Sequence, residues 1–118
     1  MKYICLIYGE ETKISAMKDE DCMVYDKSLR SSGKCIASEA LQPVGTAKTV
    51  RVRDGQLSVT DGPFIETKEC LAGFYLIDAA NTDEALKIAS KIPPAEVGSI
   101  EVRPVRELTS ITGQRRSF

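Results

Sequence analysis

The side chains most able to do chemistry gather in one stretch. Thr60-Asp61-Gly62-Pro63-Phe64-Ile65-Glu66-Thr67-Lys68-Glu69 runs directly into the apolar segment Cys70 to Ile77. Asp61, in a Gly-Pro turn, has two readings. Its carboxylate can accept backbone N–H groups of the turn, a structural role, or act as a general base in a cleft where two copies meet. Glu66 and Lys68 share a face if the segment is extended. On a solvated edge they make an ion pair of little worth. Where burial begins, the same pair could bind or protonate an anionic ligand. Asp61, Glu66 and Lys68 are therefore the candidate catalytic set.

A second set is suited to ligand binding: Ser38, Glu39, Tyr75 and Arg103. Tyr75 shares a strand face with Gly73, whose missing side chain could leave a hollow beside the ring; the alternative is a core tyrosine with its hydroxyl satisfied. Ser38 and Glu39 alternate, so one of them points inward if both faces of their strand are covered. An inward carboxylate needs a partner. Arg103 is the candidate, as a structural pair or as an anion clamp.

Composition narrows the chemistry. The 118 residues contain no histidine, which removes Ser-His-Asp and Cys-His mechanisms and histidine metal ligation. Cys5, Cys22, Cys35 and Cys70 form no CxxC pair and read as small buried hydrophobes. Neither GxGxxG nor GxxxxGK[ST] occurs, so no nucleotide cofactor is expected, and without histidine or a zinc-like cysteine spacing no metal is expected. A net charge of −1 and the lack of tryptophan argue against nucleic acid. No apolar run is long enough to span a bilayer, and Met1 to Tyr8 turns acidic too soon for a signal peptide, so no membrane contact and a cytoplasmic location are expected.

Periodicity supplies the elements that must hold these groups. Lys2–Tyr8 and Cys70–Ala79 are almost continuously apolar, as strands buried on both faces are. Asp19–Ser32 reads as a helix capped by Asp19, with Cys22, Tyr25 and Leu29 as its stripe and Gly33 at its left-handed end. Glu10–Lys18 fits a loop or a helical turn. Lys34–Leu41 reads as a strand with Cys35, Ala37 and Glu39 on one face and Ile36, Ser38 and Ala40 on the other. Thr46–Thr60 is a hairpin about Asp54-Gly55, with Val50, Val52, Leu57 and Val59 as its apolar set. Asn81 and Glu84 open a second helix as a capping box, Pro93-Pro94 end it, and Gly98–Val105 is the last strand. Residues 108–118 carry little pattern and read as a tail to a domain spanning 1–107.

Without the hairpin the order is βαββαβ, an α+β ferredoxin-like unit with two helices on one face of an antiparallel sheet. Strands apolar on both sides need a cover on the second face. A second copy supplies it in a homodimer, a dimeric α+β barrel; a fold-back of the hairpin or the tail is the monomeric alternative.

The motifs themselves are familiar. Asp61-Gly62-Pro63-Phe64, Glu66-Thr67-Lys68-Glu69 and Gly73-Phe74-Tyr75-Leu76-Ile77 resemble the signature of the DGPF-motif branch of the YCII-related superfamily. Met1-Lys2-Tyr3, Leu6-Ile7-Tyr8, Thr49-Val50-Arg51 and Gly98-Ser99-Ile100-Glu101-Val102-Arg103-Pro104-Val105 match in the same order, over about residues 1–107. The resemblance implies a ferredoxin-like fold and a homodimer, in a family without an assigned reaction. Relatives carry a His-Asp pair in a cleft, which this histidine-free chain cannot have. Some DGPF proteins are encoded beside extracytoplasmic-function sigma factors. The resulting expectation is a small-molecule-binding protein, with carboxylate or lysine acid-base chemistry near the DGPF turn. The rival is a non-enzymatic accessory protein that contacts a sigma factor. A cofactor-free oxygenase rests on fold analogy alone.

Overall fold

The computed structural model describes residues 1–109 and 115–116. Four strands build the main sheet: β1 (Lys2–Gly9), β2 (Cys35–Ala40), β5 (Cys70–Asp78) and β6 (Ser99–Pro104), in the order β2-β5-β1-β6 with every neighbour antiparallel. Between β2 and β5 the hairpin β3 (Lys48–Arg53) and β4 (Gln56–Asp61) forms its own two-stranded sheet. The helices are α1 (Glu11–Ser15), α2 (Asp19–Ser31) and α3 (Thr82–Ser90). A mixed α+β chain with this strand order is the ferredoxin-like arrangement expected from the pattern. No helix among the described residues is long and apolar enough to cross a membrane. Leu108 and Thr109 form a short strand, β7, that pairs with β8 (Arg115–Arg116); the rest of the expected tail lies outside the described residues.

The core lies between the sheet and the two longer helices. Tyr3, Cys5 and Ile7 on β1 and Tyr75 and Ile77 on β5 meet Leu29 of α2 and Ala85, Ile88 and Ala89 of α3. Tyr25 of α2 donates from its hydroxyl to the Ile88 carbonyl at 2.8 Å, tying the helices together. Its ring meets Tyr75 edge-on, with centroids 6.1 Å apart. The cap of α3 is the expected one: Asn81 accepts from the Glu84 backbone, and the Glu84 carboxylate reaches back to the Ala80 N–H. The start of α2 differs. Lys18 occupies the cap position without a side-chain bond, and Asp19 is already helical, so its carboxylate acts through the helix dipole alone.

Two further expectations need correction. A bulge between Cys35 and Ala37 sets Cys35 opposite Ile77 and Ser38 opposite Tyr75, so both look toward the helices while Ala37 and Glu39 take the other face. Only Cys5 of the four cysteines is fully buried; Cys22, Cys35 and Cys70 are half-buried, and all are free thiols. Within one chain β1 and β5 bury a single face: Ile4, Leu6, Tyr8, Phe74 and Leu76 on the second face are only half-buried. The molecule is 19 Å thick in its shortest direction, the depth of one sheet and one helix layer.

Candidate functional site

The bulge in β2 and the four-residue rhythm of α2 together create a site. Cys22, Asp26 and Arg30 recur at i, i+4 and i+8 on α2, beside the Tyr25–Leu29 core stripe, and face the β2 edge. Asp26 Oδ2 accepts from Arg30 Nε at 2.8 Å. Arg30 Nη2 donates to Ser38 Oγ at 2.7 Å, and the Ser38 hydroxyl donates to Asp26 Oδ1. The triangle is closed, and each member has its partner. Burial pushes the Asp26 carboxyl up, but the Ser38 and Arg30 hydrogen bonds and the Arg30 charge outweigh it, so its pKa lies below the usual value. Asp26 is therefore a carboxylate at neutral pH and a weak base. Arg30 spends only part of its donor fork in the triangle.

A cavity of about 480 Å³ opens in front of this triangle. Ile7, Ile14, Met17, Ile92 and Pro94 give it an apolar wall; Gly73 and Tyr75 form the floor. Gly73 is required there. A Cβ at this position would lie 2.7 Å from the Glu39 carbonyl oxygen, so only glycine lets β2 approach β5 this closely. Burial, with smaller contributions from Asp26, Cys22, Cys35 and Tyr25, raises the Tyr75 pKa, keeping its hydroxyl protonated. Burial first, then Asp19 and Asp21, raises the Cys22 thiol. A polar corner beside an apolar wall can hold a compact molecule by one acceptor group.

Of the residues singled out in the sequence, Ser38, Glu39 and Tyr75 border this cavity. Glu39 does so from a position opposite Phe74, on the outer face of the sheet. Arg103 does not join them. It lies opposite Ile4 on β6, the far edge strand, and its ion partner is Glu101 at 4.0 Å. Two central strands separate it from Glu39, roughly 14 Å at ordinary strand spacing, so the expected Glu39–Arg103 pair does not form. Asp61, Glu66 and Lys68 are exposed. Asp61 pairs with Lys48 across the foot of the hairpin, and Lys68 approaches Glu10 at 3.7 Å. Glu10 and Lys13 pair more closely, at 2.8 Å. The DGPF turn is held by backbone: Gly62 takes a φ of 93°, donates to the Ala47 carbonyl and accepts from the Thr49 hydroxyl. Asp26 and Arg30 escaped the sequence reading because an i, i+4 acid–base pair usually marks a solvated helix face, and Cys22 entered it only as part of the apolar stripe. The signal that could have found them was their rhythm with Cys22, next to the apolar stripe.

Among the described residues no group of three His, Cys, Asp or Glu side chains is placed to hold a metal ion. The YCII-related domain model matches residues 1–109. The chain belongs to the YCII-related family. It is also similar to the uncharacterized protein R00369 of Rhizobium meliloti (strain 1021), at 40% identity over 114 residues, which cover 89% of this chain and 92% of that protein.

Proposed function

We propose that this YCII-related protein binds a compact small molecule in the cavity between α2 and the β2–β5 edge. The ligand has an apolar body and a carboxylate or carbonyl that takes the remaining N–H donors of Arg30. The observation that carries this reading is the convergence of Arg30, Asp26 and Ser38 on one corner of a cavity of about 480 Å³, beside the apolar wall of Ile7, Ile14, Met17, Ile92 and Pro94; Asp19 and Glu39 line it as well, and among the described residues Arg30 is its one cationic group. The triangle fixes the guanidinium before the ligand arrives, which lowers the ordering entropy that binding must overcome. A thermal-shift screen of small apolar carboxylates against their matched hydrocarbons tests it. Carboxylates should raise Tm in the parent chain and lose most of that effect in Arg30→Gln. Equal shifts in both proteins would remove Arg30 from the site.

The same reading includes a homodimer. Ile4, Leu6, Tyr8, Phe74 and Leu76 form a half-buried apolar face on a slab only two layers deep, and a second slab packed on it makes a dimeric α+β barrel. Acid-base chemistry by Asp61, Glu66 and Lys68 depends on that second copy, since one chain leaves all three in solvent. A non-enzymatic accessory role with a sigma factor as partner is the second reading. Met23 and Val24, both exposed on α2, favour it. Binding of small carboxylates without any Arg30 dependence, together with a tight α2-directed protein complex, would select it.

A further inference from the structure

The hairpin β3–β4 carries an apolar surface that the fold leaves exposed. Its strands pair only with each other, in the register Val50 opposite Val59 and Val52 opposite Leu57. These four side chains share one face, and each is more than half exposed, Leu57 at 69%. The other face carries Thr49, Arg51, Arg53, Gln56, Ser58 and Thr60. One side is thus built for burial and the other for water. At the root, Phe64 is 72% exposed and extends the apolar surface. An isolated two-stranded hairpin is at best marginally stable in water, so an arm of this composition needs a surface to lie on.

The size of the unburied surface indicates what that partner is. The chain exposes 8772 Å². A compact monomer of 109 residues would expose about 6,000 Å², and residues 110–118 have at most about 1,500 Å² of surface to add. An excess of about 1,300 Å² remains. That is the share one protomer of an obligate dimer contributes, about 1,000 to 2,500 Å². The chain that carries the arm also carries the half-buried sheet face, and a two-fold pair lets each copy give one arm and receive one, so both apolar surfaces are covered in a closed assembly. A contact that did not close would leave arms free to propagate.

We infer that the β3–β4 hairpin is an embracing arm whose Val50, Val52, Leu57 and Val59 face lies on a second copy of this chain. The inference rests on the homodimer reading above and adds to it the element that clasps the partner. Asp54-Gly55, at φ values of 52° and 75°, make the tight turn that keeps the arm tip narrow. The DGPF turn sits at the arm's foot. There Gly62, held by Ala47 and Thr49, fixes the angle at which the arm leaves the body.

The test combines sedimentation equilibrium with amide hydrogen exchange on the full chain. The parent chain is expected to be a dimer, with the arm amides protected as strongly as those of β6. Val52→Ser together with Leu57→Ser should weaken the dimer on the order of a hundredfold, since two apolar side chains leave the contact. Circular dichroism of the variant should match the parent, because the hairpin lies outside the core. A dimer whose arm amides exchange freely, or whose dissociation constant ignores the double substitution, overturns the arm and leaves the homodimer standing. A parent chain that is monomeric at all concentrations overturns both.

Discussion

Replacing Asp26 by asparagine keeps the size of the side chain and removes its charge. The Arg30 Nε bond at 2.8 Å and the Ser38 hydroxyl bond then fall on a neutral amide, one of whose arms is a donor. Arg30 is 46% exposed and sits one helical turn away, so solvent screens its ion pair and that pair contributes little. The sheltered Ser38 bond to a carboxylate adds about 1 kcal/mol. Together Asp26→Asn should destabilise by about 1–2 kcal/mol at pH 7, or roughly 5–10 °C in Tm for a domain of this size. The pH dependence has a definite sign. Asp26 has its pKa depressed in the folded state, so its contribution is complete above the unfolded carboxylate value of about 3.9 and is lost as pH falls through the lower folded value. Urea unfolding of both proteins from pH 7 to pH 3 reads this directly. The gap should hold from pH 7 to about 5 and close below 4. A gap under about 0.3 kcal/mol at pH 7, or one of equal size at pH 3, would refute the triangle as an energetic unit.

Other outcomes follow from single contacts. Burial pushes the Cys5 thiol up from 9.0 to about 11; its stabilising effect is complete below 9 and lost toward 11, at about 1.4 kcal/mol per pH unit. Chemical denaturation across that range should show a shallower alkaline fall for Cys5→Ala than for the parent, and parallel curves would contradict it. Gly73→Ala should destabilise by about 1–3 kcal/mol, because the new methyl meets the Glu39 carbonyl of β2 and the strand must move. Exchange of the β2 amides should quicken in that variant, and an unchanged β2 would show that the close approach is not needed. Tyr25→Phe removes the 2.8 Å bond to Ile88 while keeping the ring against Tyr75, with an expected loss of about 1 kcal/mol in urea unfolding. No change would mean that the Ile88 carbonyl finds water instead.

The fold was largely legible because its signals are local and repeated. The capping residues Asn81 and Glu84, the Asp54-Gly55 turn and the continuous apolar runs of β1 and β5 each specify one backbone geometry. The site was legible in part. Ser38 and Tyr75 could be singled out because a polar group on a buried strand is unusual. Their actual partners were not visible, because the pairing of Ser38 with Asp26 depends on a bulge at Ile36 and on the rotation of α2 over the sheet. Arg103 illustrates the same limit from the other side. Alternation placed it on the outer face, but only the strand order β2-β5-β1-β6 separates it from Glu39. Asp61, Glu66 and Lys68 drew attention by their density in sequence. Density is a property of the chain and not of space, and within one protomer the three side chains stand apart from the cavity.

The central claim is that the chamber framed by Arg30, Asp26, Ser38, Gly73 and Tyr75 receives a ligand. Titrating the isotope-labelled chain with a small apolar carboxylate, followed by amide chemical shifts, tests it most directly. Saturable shifts are expected, centred on Ser38, Gly73, Tyr75 and the α2 turn from Asp26 to Arg30, with affinity reduced at least about tenfold by Arg30→Gln. Shifts confined to the hairpin or the DGPF turn, or a titration that Arg30→Gln leaves unchanged, would contradict it.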